Sequence, residues 1–250
     1  MDERTFKTRQ ATSSQDVLQF YDAYAASWDG RFGDDPSVRR FHQMRLASLL
    51  RLARFKPTDD AVELGVGTGP YVADIAPRVR SLRCVEGAAG MLDVLARKHR
   101  GVPNVTMQQL DLEQKIDGSF PKADIVYWFG LIEHIINVEP FLANCRAMVR
   151  PGGRLVFVAP NGRCPWYGAI RKLWRAGAHC TSDHYYTPEE CDRLFERHGF
   201  QREGLVYWGY APAGVGGWLY TVLAAVGSIV DLTPLRRYAG GMTLSYALTA

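Results

Sequence analysis

Ten residues, Ala61-Val62-Glu63-Leu64-Gly65-Val66-Gly67-Thr68-Gly69-Pro70, carry the strongest fold signal in this chain. An apolar run ends at an acid, three glycines follow at alternate positions, and the next residues favour a helix. Glycine lets the backbone turn tightly and approach a ligand because it has no Cβ, and a helix start offers N–H groups that no helical carbonyl accepts. The stretch therefore predicts a nucleotide-type pocket. The alternative is a glycine-rich turn that binds nothing.

The glycine spacing distinguishes two kinds of nucleotide site. A dinucleotide fingerprint requires G-x-G-x-x-G, and counting from Gly65 its third glycine would fall at position 70. Pro70 stands there instead and has no N–H to offer a pyrophosphate, although it suits the first turn of a helix. The spacing is G-x-G-x-G, which does not fit a dinucleotide site.

The composition is that of an ordinary globular chain. Its 250 residues are 47% apolar, which fits one α/β domain with additions. The net charge of +4 is too small to indicate a nucleic-acid partner. The polar start over residues 1–7 lacks the apolar core of a signal peptide, and the five cysteines include no C-x-x-C pair. We expect a cytoplasmic protein with reduced thiols and no metal site.

Strand and helix patterns alternate along the chain, after an N-terminal section that is helical. Apolar spacing predicts helices over 14–28, 36–55, 70–77, 88–99, 140–149 and 188–198. Strands are predicted over 60–64, 82–85, 105–109, 124–128, 154–159, 200–207 and 242–248. Such alternation implies a doubly wound, mostly parallel α/β sheet.

In a sheet of this kind, ligands bind at the carboxyl ends of the strands, where the strand order reverses. That rule groups the glycines, Glu86, Asp111 and residues 129–134, because each follows a predicted strand. Glu86 can accept hydrogen bonds from two ribose hydroxyls, as acids do in dinucleotide folds. The alternative is that Glu86 is only a carboxylate that favours a helix start and that Asp111 is only a turn residue.

Several phrases of the sequence resemble one enzyme family, and they occur in the expected order. The glycine stretch resembles motif I of the class I S-adenosylmethionine (SAM)-dependent methyltransferases. The block 123–134, which ends in Glu133-His134, resembles the family's motif around the fourth strand, and residues 148–155 resemble its Pro-Gly-Gly turn before the fifth strand. Residues 21–29 resemble the opening that caps the SAM pocket, and 185–200 resemble the helix before the sixth strand. The group with the nearest resemblance contains the ubiquinone and menaquinone methyltransferases.

The resemblance implies a fold, a cofactor and a set of residues. It implies a seven-stranded Rossmann-like sheet, mostly parallel with an antiparallel last strand, together with N-terminal helices and a helical lid. It implies SAM as cofactor, S-adenosylhomocysteine (SAH) as product, and Asp111 as the acid that takes the adenine amino group. The predicted cofactor-binding residues are Tyr21, Glu63, Gly65, Gly67, Gly69, Glu86, Gly87, Met91, Asp111, Leu112, Phe129 and Leu131.

Methyl transfer is an in-line displacement, so alignment of donor and acceptor supplies much of the acceleration. A hydroxyl or acidic carbon must also lose a proton to a base. His134 is the first candidate, because histidine changes protonation near neutral pH, and His184 is the second; a packing or capping role is the alternative for His134. Arg163 and Arg171 either hold an anionic acceptor or are solvated. The predicted acceptor-binding residues are Tyr24, Trp28, His134, Trp166, Tyr185 and Trp208.

Two insertions suggest a hydrophobic acceptor or a membrane surface. Residues 163–175 form a basic amphipathic pattern with tryptophan, typical of interfacial helices, although a lid over the active site is the alternative. Residues 204–230 contain no charged side chain, but the apolar piece 218–230 is short for a membrane span, which favours a buried or interfacial helix. We predict a helical cap over 1–56 and a core over 57–250, which contains a lid over 161–187 and an apolar insertion over 208–240. We also predict peripheral membrane contact through 163–175 and 218–237. The expected oligomeric state is a monomer or a homodimer.

The leading hypothesis is SAM-dependent methylation of a small, hydrophobic or aromatic molecule such as a quinone precursor, lipid or secondary metabolite. Methylation on oxygen is favoured, while carbon and nitrogen stay open, because the core motifs recognise only the cofactor. Methylation of a protein or nucleic acid fits less well, since no Asn-Pro-Pro-Tyr type motif follows the fourth strand and there is no extended basic stripe. Two further classes are a SAM-binding or membrane-docking module without catalysis and a dehydrogenase.

Overall fold

A computed structural model describes residues 11–32, 35–116, 118, 120–165, 184–210 and 217–249; for 31–32, 217–221 and 224 it describes the backbone alone. The strands are β1 (Asp60–Leu64), β2 (Ser81–Glu86), β3 (Val105–Gln109), β4 (Ala123–Phe129), β5 (Val149–Pro160), β6 (Phe200–Trp208) and β7 (Gly241–Leu248). The α-helices are α1 (Ser14–Tyr24), α2 (Pro36–Ala53), α3 (Val72–Ile75), α4 (Ala89–Lys98), α5 (Val138–Met148), α6 (Pro188–Glu196) and α7 (Gly217–Val230).

All seven strands form one sheet in the order β3-β2-β1-β4-β5-β7-β6. The strands from β1 to β5 pair in parallel, and β7 lies antiparallel between β5 and β6. The predicted fold class is therefore confirmed, including the antiparallel last strand. The order reverses between β1 and β4, so the carboxyl ends of these two strands mark the place where a doubly wound sheet binds its ligand.

Local sequence explains where the long helices begin. Ser13 caps α1 in a reciprocal capping box with Asp16. Asp35 caps α2 by accepting from the Ser37 N–H at 2.7 Å, and a proline occupies the first turn. Thr187 and Glu190 form the capping box of α6 that their spacing predicts.

Two predicted helices are α-helical over only part of their length and end in 3₁₀ segments. The helix predicted over 14–28 is α-helical only to Tyr24 and continues as a 3₁₀ helix, Ala25–Phe32, which begins as the Ala25 N–H bonds to the Asp22 carbonyl. The helix predicted over 70–77 is one α-helical turn followed by a 3₁₀ turn, Ala76–Arg78, in which Pro77 cannot donate a backbone hydrogen bond. The strand predicted from residue 154 begins at Val149, which pairs with Ala123.

Helices cover both faces of the sheet. On one face, α5 and α6 pack over Trp128, and the rings of Trp128, Phe157, Phe195 and Tyr246 stack in series. On the other face, α2, α3 and α4 cover Tyr127 and its neighbours. The inner strands are almost wholly buried, as expected for parallel strands with helices on both sides.

The structure describes the second of the two predicted insertions but little of the first. Residues 166–183, which hold most of the predicted lid, lie outside the described residues. The apolar piece 218–230 forms α7. Across the described ranges, no helix combines the length and the apolarity that a membrane crossing requires. The division into a cap over 1–56 and a core over 57–250 stays a prediction.

Candidate active site

A cavity of about 550 Å³ opens at the carboxyl ends of β1 and β4, a volume typical of cofactor and substrate sites. The glycine turn, the ends of β2 and β4, the loop after β3, and helices α1 and α2 form its walls. The predicted cofactor-binding residues that line it are Tyr21, Glu63, Gly65, Gly67, Glu86, Gly87, Met91, Asp111, Leu112, Phe129 and Leu131. Gly69 does not line it; its carbonyl accepts a hydrogen bond from His99 Nε2 at 2.9 Å.

The three glycines have different surroundings, although all have positive φ angles between 58° and 73°. A Cβ at Gly65 or Gly69 would overlap the side chain of Leu131 or Leu95, so packing within the protein demands glycine there. At Gly67, a Cβ would meet nothing nearer than 3.8 Å, and this residue lines the cavity. Gly67 is therefore the glycine whose open side faces the ligand space.

Glu86, the last residue of β2, fastens the glycine turn. Its Oε2 accepts from the Gly67 N–H at 2.8 Å and its Oε1 accepts from the Ala88 N–H at 2.9 Å. The side chain is buried, and burial raises the pKa of its carboxyl, whereas the backbone N–H groups oppose that rise. A cation bound in the cavity favours the ionised form of such a carboxyl.

Glu63, in β1, is the second buried acid of the cavity. The Tyr127 hydroxyl donates to its Oε2 at 2.9 Å. Burial raises the pKa of Glu63 to about 8, against the lowering effects of the Tyr127 hydrogen bond and the Arg45 charge, and the Glu86 carboxyl adds to the rise. Because the Glu86 carboxyl disfavours the ionised form of Glu63, a positively charged ligand in the cavity suits both acids.

The loop after β3 is tied to α1. Asp111 Oδ2 accepts from Ser14 Oγ at 2.7 Å and from Gln15 Nε2 at 3.2 Å, and its Oδ1 accepts from the Glu113 N–H at 3.0 Å. The carboxylate that the resemblance assigns to adenine therefore also holds α1 over the cavity.

Glu113, which no sequence motif singled out, holds the loop after the 3₁₀ turn Ile132–His134. Its buried carboxylate accepts from the Ile136 N–H at 2.9 Å and from the Asn137 N–H at 2.8 Å. It thereby fixes the segment directly after His134. A lone acid two residues after Asp111 gives no local signal for this role.

His134 lines the cavity at the end of the 3₁₀ turn that follows β4. Its ring lies 5.8 Å from the ring of Tyr21 in an edge arrangement, and Tyr21 lies 5.3 Å from Trp28 in the same way. His184 does not line the cavity; its backbone N–H donates to the Glu133 carbonyl at 3.2 Å, and its ring lies 4.3 Å from that of Tyr186.

The remaining predicted acceptor residues are spread around the cavity. Trp28 lines it, whereas Tyr24 packs on Phe20 with ring centroids 4.7 Å apart and Tyr185 is not among the lining residues. Trp208 is buried behind the wall, where its Nε1 donates to Thr243 Oγ1 at 3.1 Å. Trp166 and Arg171 lie outside the described residues, and Arg163 pairs with Glu189 at 2.7 Å.

Arg45 is the main cavity residue that the sequence analysis missed. Its guanidinium carbon lies 5.7 Å from the ring of Phe41, 6.0 Å from Tyr71 and 5.7 Å from Phe129. Among the described residues, no carboxylate forms an ion pair with it. Gly130 leaves room for the group, since a Cβ there would lie 2.8 Å from Nη2. The available signal was an arginine four residues after Phe41, on the inward stripe of α2.

A histidine and a tyrosine lie beside this guanidinium. His42 Nδ1 and the Tyr71 hydroxyl are 2.6 Å apart, and both residues line the cavity. Burial, together with the Arg45 charge, lowers the pKa of His42 to about 4, so His42 is neutral at physiological pH. The positive charge of this wall therefore comes from Arg45.

Comparison with known proteins gives consistent matches. A family model described as a methyltransferase domain matches residues 38–203. The chain is 24% identical over 201 residues to the ubiquinone biosynthesis O-methyltransferase of Alkalilimnicola ehrlichii, covering 77% of this chain and 80% of that protein. It is 22% identical over 229 residues to the mitochondrial ubiquinone biosynthesis O-methyltransferase of Mus musculus, covering 82% of this chain but 61% of that protein. Several relatives are matched over less than two thirds of their length.

Among solved structures, the DhpI-SAH complex superposes with a TM-score of 0.65 at 19% identity, covering 95% of this chain and 98% of that one. At that identity the likeness concerns the fold.

Proposed function

The chain belongs to the methyltransferase-domain family, and from that premise we propose that it transfers the methyl group of SAM to an oxygen of a small hydrophobic or aromatic acceptor. The enzyme is a SAM-dependent methyltransferase and releases SAH. The observation that carries the acceptor proposal is that the glycine turn and two buried acids meet an apolar, aromatic wall in one cavity.

The charges of the cavity match those of SAM. The sulfonium and the methionyl ammonium are cations, and Glu63 and Glu86 line the same cavity. The methionyl carboxylate needs a positive partner. Arginine recognises carboxylates with paired N–H donors, and Arg45, which lines the cavity, forms no ion pair with a carboxylate in the described ranges. We assign the ribose to Glu86 and the adenine to Asp111 and Leu112.

The acceptor side is aromatic and contains one candidate base. Tyr21, Trp28 and His134 adjoin one another at the wall formed by α1 and the turn after β4. In the proposed step, His134 takes the proton of the acceptor hydroxyl, the oxygen forms a bond to the methyl carbon, and the carbon–sulfur bond breaks to give neutral SAH. His134 is favoured over His184 because it lines the cavity.

The test is incubation of the protein and methyl-labelled SAM with a total cell extract, followed by partition of the label into organic, aqueous and macromolecular fractions. Gly67→Arg serves as the blank, because its side chain would occupy the cavity. We expect label in the organic fraction, and the product then identifies the methylated atom. Label confined to protein or nucleic acid would contradict the acceptor class and leave the family assignment standing. Binding of SAM without any transfer would support the non-catalytic module.

The predicted peripheral membrane contact stays a proposal. Its first segment, 163–175, falls mostly outside the described residues, whereas most of its second segment, 218–237, has described side chains. The choice between monomer and homodimer likewise stays a prediction.

A further inference from the structure

The exposed apolar side chains of the described residues are concentrated in one short region. They are Val222, Val226, Ile229, Leu232, Leu235 and Tyr238, with exposures of 47%, 49%, 68%, 89%, 56% and 39%. We call these six residues the α7 patch. Scattered surface hydrophobic residues are normal, but a contiguous group marks a surface that is covered in use.

The inner side of α7 is fixed against the protein. Gly227 is buried, and a Cβ there would lie 2.8 Å from Tyr210 Cβ. The Tyr210 hydroxyl donates to Asp231 Oδ1 at 2.8 Å, which fastens the end of the helix. At 100° per residue, Val222 and Ile229 point away from Gly227, and Val226 lies between that outer face and the side of the helix. Their exposure is therefore set by the packing of α7 against Tyr210.

Positive charge adjoins the α7 patch. Arg236 and Arg237 are exposed in the 3₁₀ turn Pro234–Tyr238. Within the described ranges, neither guanidinium forms an ion pair, and Arg237 lies 5.0 Å from the ring of Tyr238. The nearest acid along the chain, Asp231, accepts a hydrogen bond from the Tyr210 hydroxyl. The apolar side chains of the α7 patch and these two arginines together complement a surface that has an apolar interior under a layer of anionic groups.

The helix α7 follows β6 in the chain, and β6 ends at the edge of the sheet where the cavity opens. Pro160, at the end of β5, pairs with Gly241, which pairs with Trp208 at the end of β6. Since β4 and β5 are parallel, Trp208 lies at the same edge as the cavity. Its ring is 5.3 Å from that of Phe41, which lines the cavity. A surface docked on α7 therefore meets the edge of the molecule at which the acceptor site is built.

We propose that the α7 patch docks on the surface of an anionic lipid bilayer, with Val226, Ile229 and Leu232 in the interfacial layer and with Arg236 and Arg237 on lipid phosphates. This docking is peripheral and goes beyond the proposed methyl transfer. Apolar burial and attraction to anionic lipid add together in such contacts. A second copy of the chain is the competing occupant; its nearest acid along the chain, Asp231, already accepts a hydrogen bond from the Tyr210 hydroxyl.

The test is flotation of the full chain with phosphatidylcholine vesicles that contain or lack phosphatidylglycerol. We expect the protein to float with the anionic vesicles and to bind the neutral ones about thirtyfold more weakly, since each of the two arginines near an anionic surface contributes a factor of about five. Ile229→Asn with Leu232→Asn should weaken binding to both vesicles about tenfold or more. Arg236→Gln with Arg237→Gln should remove the preference for anionic lipid.

The matched control is Arg97→Gln with Arg100→Gln, which removes two exposed arginines on the α4 side of the molecule. We expect this pair to float like the unaltered chain. The proposal fails if the unaltered chain does not float with anionic vesicles, or if the Ile229 and Leu232 pair floats equally well. It also fails if light scattering finds a dimer that this pair converts to a monomer, because the patch is then a self-interface. Vesicle binding needs no turnover, so its failure leaves the methyl-transfer proposal untouched.

Discussion

The Gly67 N–H donates a 2.8 Å hydrogen bond to Glu86 Oε2, which joins the glycine turn after β1 to the end of β2. Glu86 therefore has a structural role in addition to the ribose role that we propose. The glycine turn and the acid that the sequence places near the cofactor form one unit.

Replacement of Glu86 should affect stability and cofactor affinity together. In Glu86→Gln, an amide NH₂ replaces one oxygen and faces either the Gly67 or the Ala88 N–H, so a buried donor loses its acceptor. We expect unfolding free energy to fall by about 1–3 kcal/mol and the Kd for SAM to rise about tenfold or more. Chemical denaturation and calorimetric titration measure the two effects. The exposed Glu203→Gln is the control, and equal behaviour of both variants would contradict the role.

The glycines allow backbone strain to be separated from ligand contact. Gly67 and Gly152 both have positive φ, and both have room for a Cβ, but only Gly67 lines the cavity. Each alanine variant should lose about 1 kcal/mol of stability. Only Gly67→Ala should also bind SAM markedly more weakly, as measured by titration. If Gly67→Ala keeps full affinity for SAM, the open side of this glycine does not face the ligand.

Gly69→Ala tests packing instead. A Cβ there would overlap the Leu95 side chain, so we expect a larger loss of unfolding free energy, about 1–3 kcal/mol from overpacking in addition to strain. Thermal or chemical unfolding measures it. If the unfolding free energy falls no more than it does in Gly152→Ala, the Leu95 side chain moves aside at little energetic cost.

Glu63 should make stability depend on pH. Its ordinary pKa of 4.5 is raised to about 8 in the folded chain by burial. A carboxyl with a raised folded pKa contributes stability that is complete below pH 4.5 and is lost as pH rises through 8. The isosteric Glu63→Gln variant lacks this loss. Its unfolding free energy, relative to the unaltered chain, should therefore grow between about pH 5 and pH 8, by at most about 1.4 kcal/mol per pH unit.

The measurement for Glu63 is denaturant unfolding of both chains across that pH range, in the absence of SAM. Taking the difference cancels the titration of other groups. A difference that stays constant from pH 5 to pH 8 would show that the carboxyl is ionised throughout in the folded protein.

Arg45 should recognise the carboxylate of the cofactor. We expect Arg45→Gln to weaken SAM binding about tenfold to a hundredfold, the usual range for a charged hydrogen-bonded contact. Decarboxylated SAM lacks the group and should bind Arg45→Gln and the unaltered chain alike. Arg40→Gln, exposed on the same helix, is the control. If the variant loses equal affinity for both ligands, Arg45 acts on the wall of the cavity and does not recognise the carboxylate.

The parts of the fold that sequence predicted are those with a local signal. The bounds of β1 and β3 match the prediction, and Glu86 ends β2 as expected. For β1 and β2 the local signal is a short, mostly apolar segment, which forms a buried strand. Helix lengths were less well predicted. A helical apolar pattern does not distinguish an α-helix from the 3₁₀ segments that close α1 and α3.

The cavity residues that sequence missed depend on distant contacts. His42 meets Tyr71 across 29 positions, and the Glu113 carboxylate meets the Asn137 N–H across 24, so neither pair leaves a local pattern. Trp208 illustrates the converse. The sequence predicts it as an aromatic residue of the acceptor pocket, but its Nε1 donates to Thr243 Oγ1 behind the wall. Packing between distant segments decides whether a side chain faces the cavity or lies behind its wall, and no single segment of sequence encodes that packing.

The role of His134 can be separated from that of His184, because only His134 lines the cavity. With the acceptor that the labelling experiment identifies, His134→Gln should lower kcat about a hundredfold, the lower range for loss of a general base, and leave the Kd for SAM unchanged. The unaltered enzyme should lose activity as pH falls through the range in which histidine takes up a proton, and His134→Gln should lose this pH dependence. His184→Gln is the matched variant and should retain both kcat and the profile. Unchanged turnover in both variants would remove both base assignments, and alignment of donor and acceptor in the cavity would then account for the catalysis.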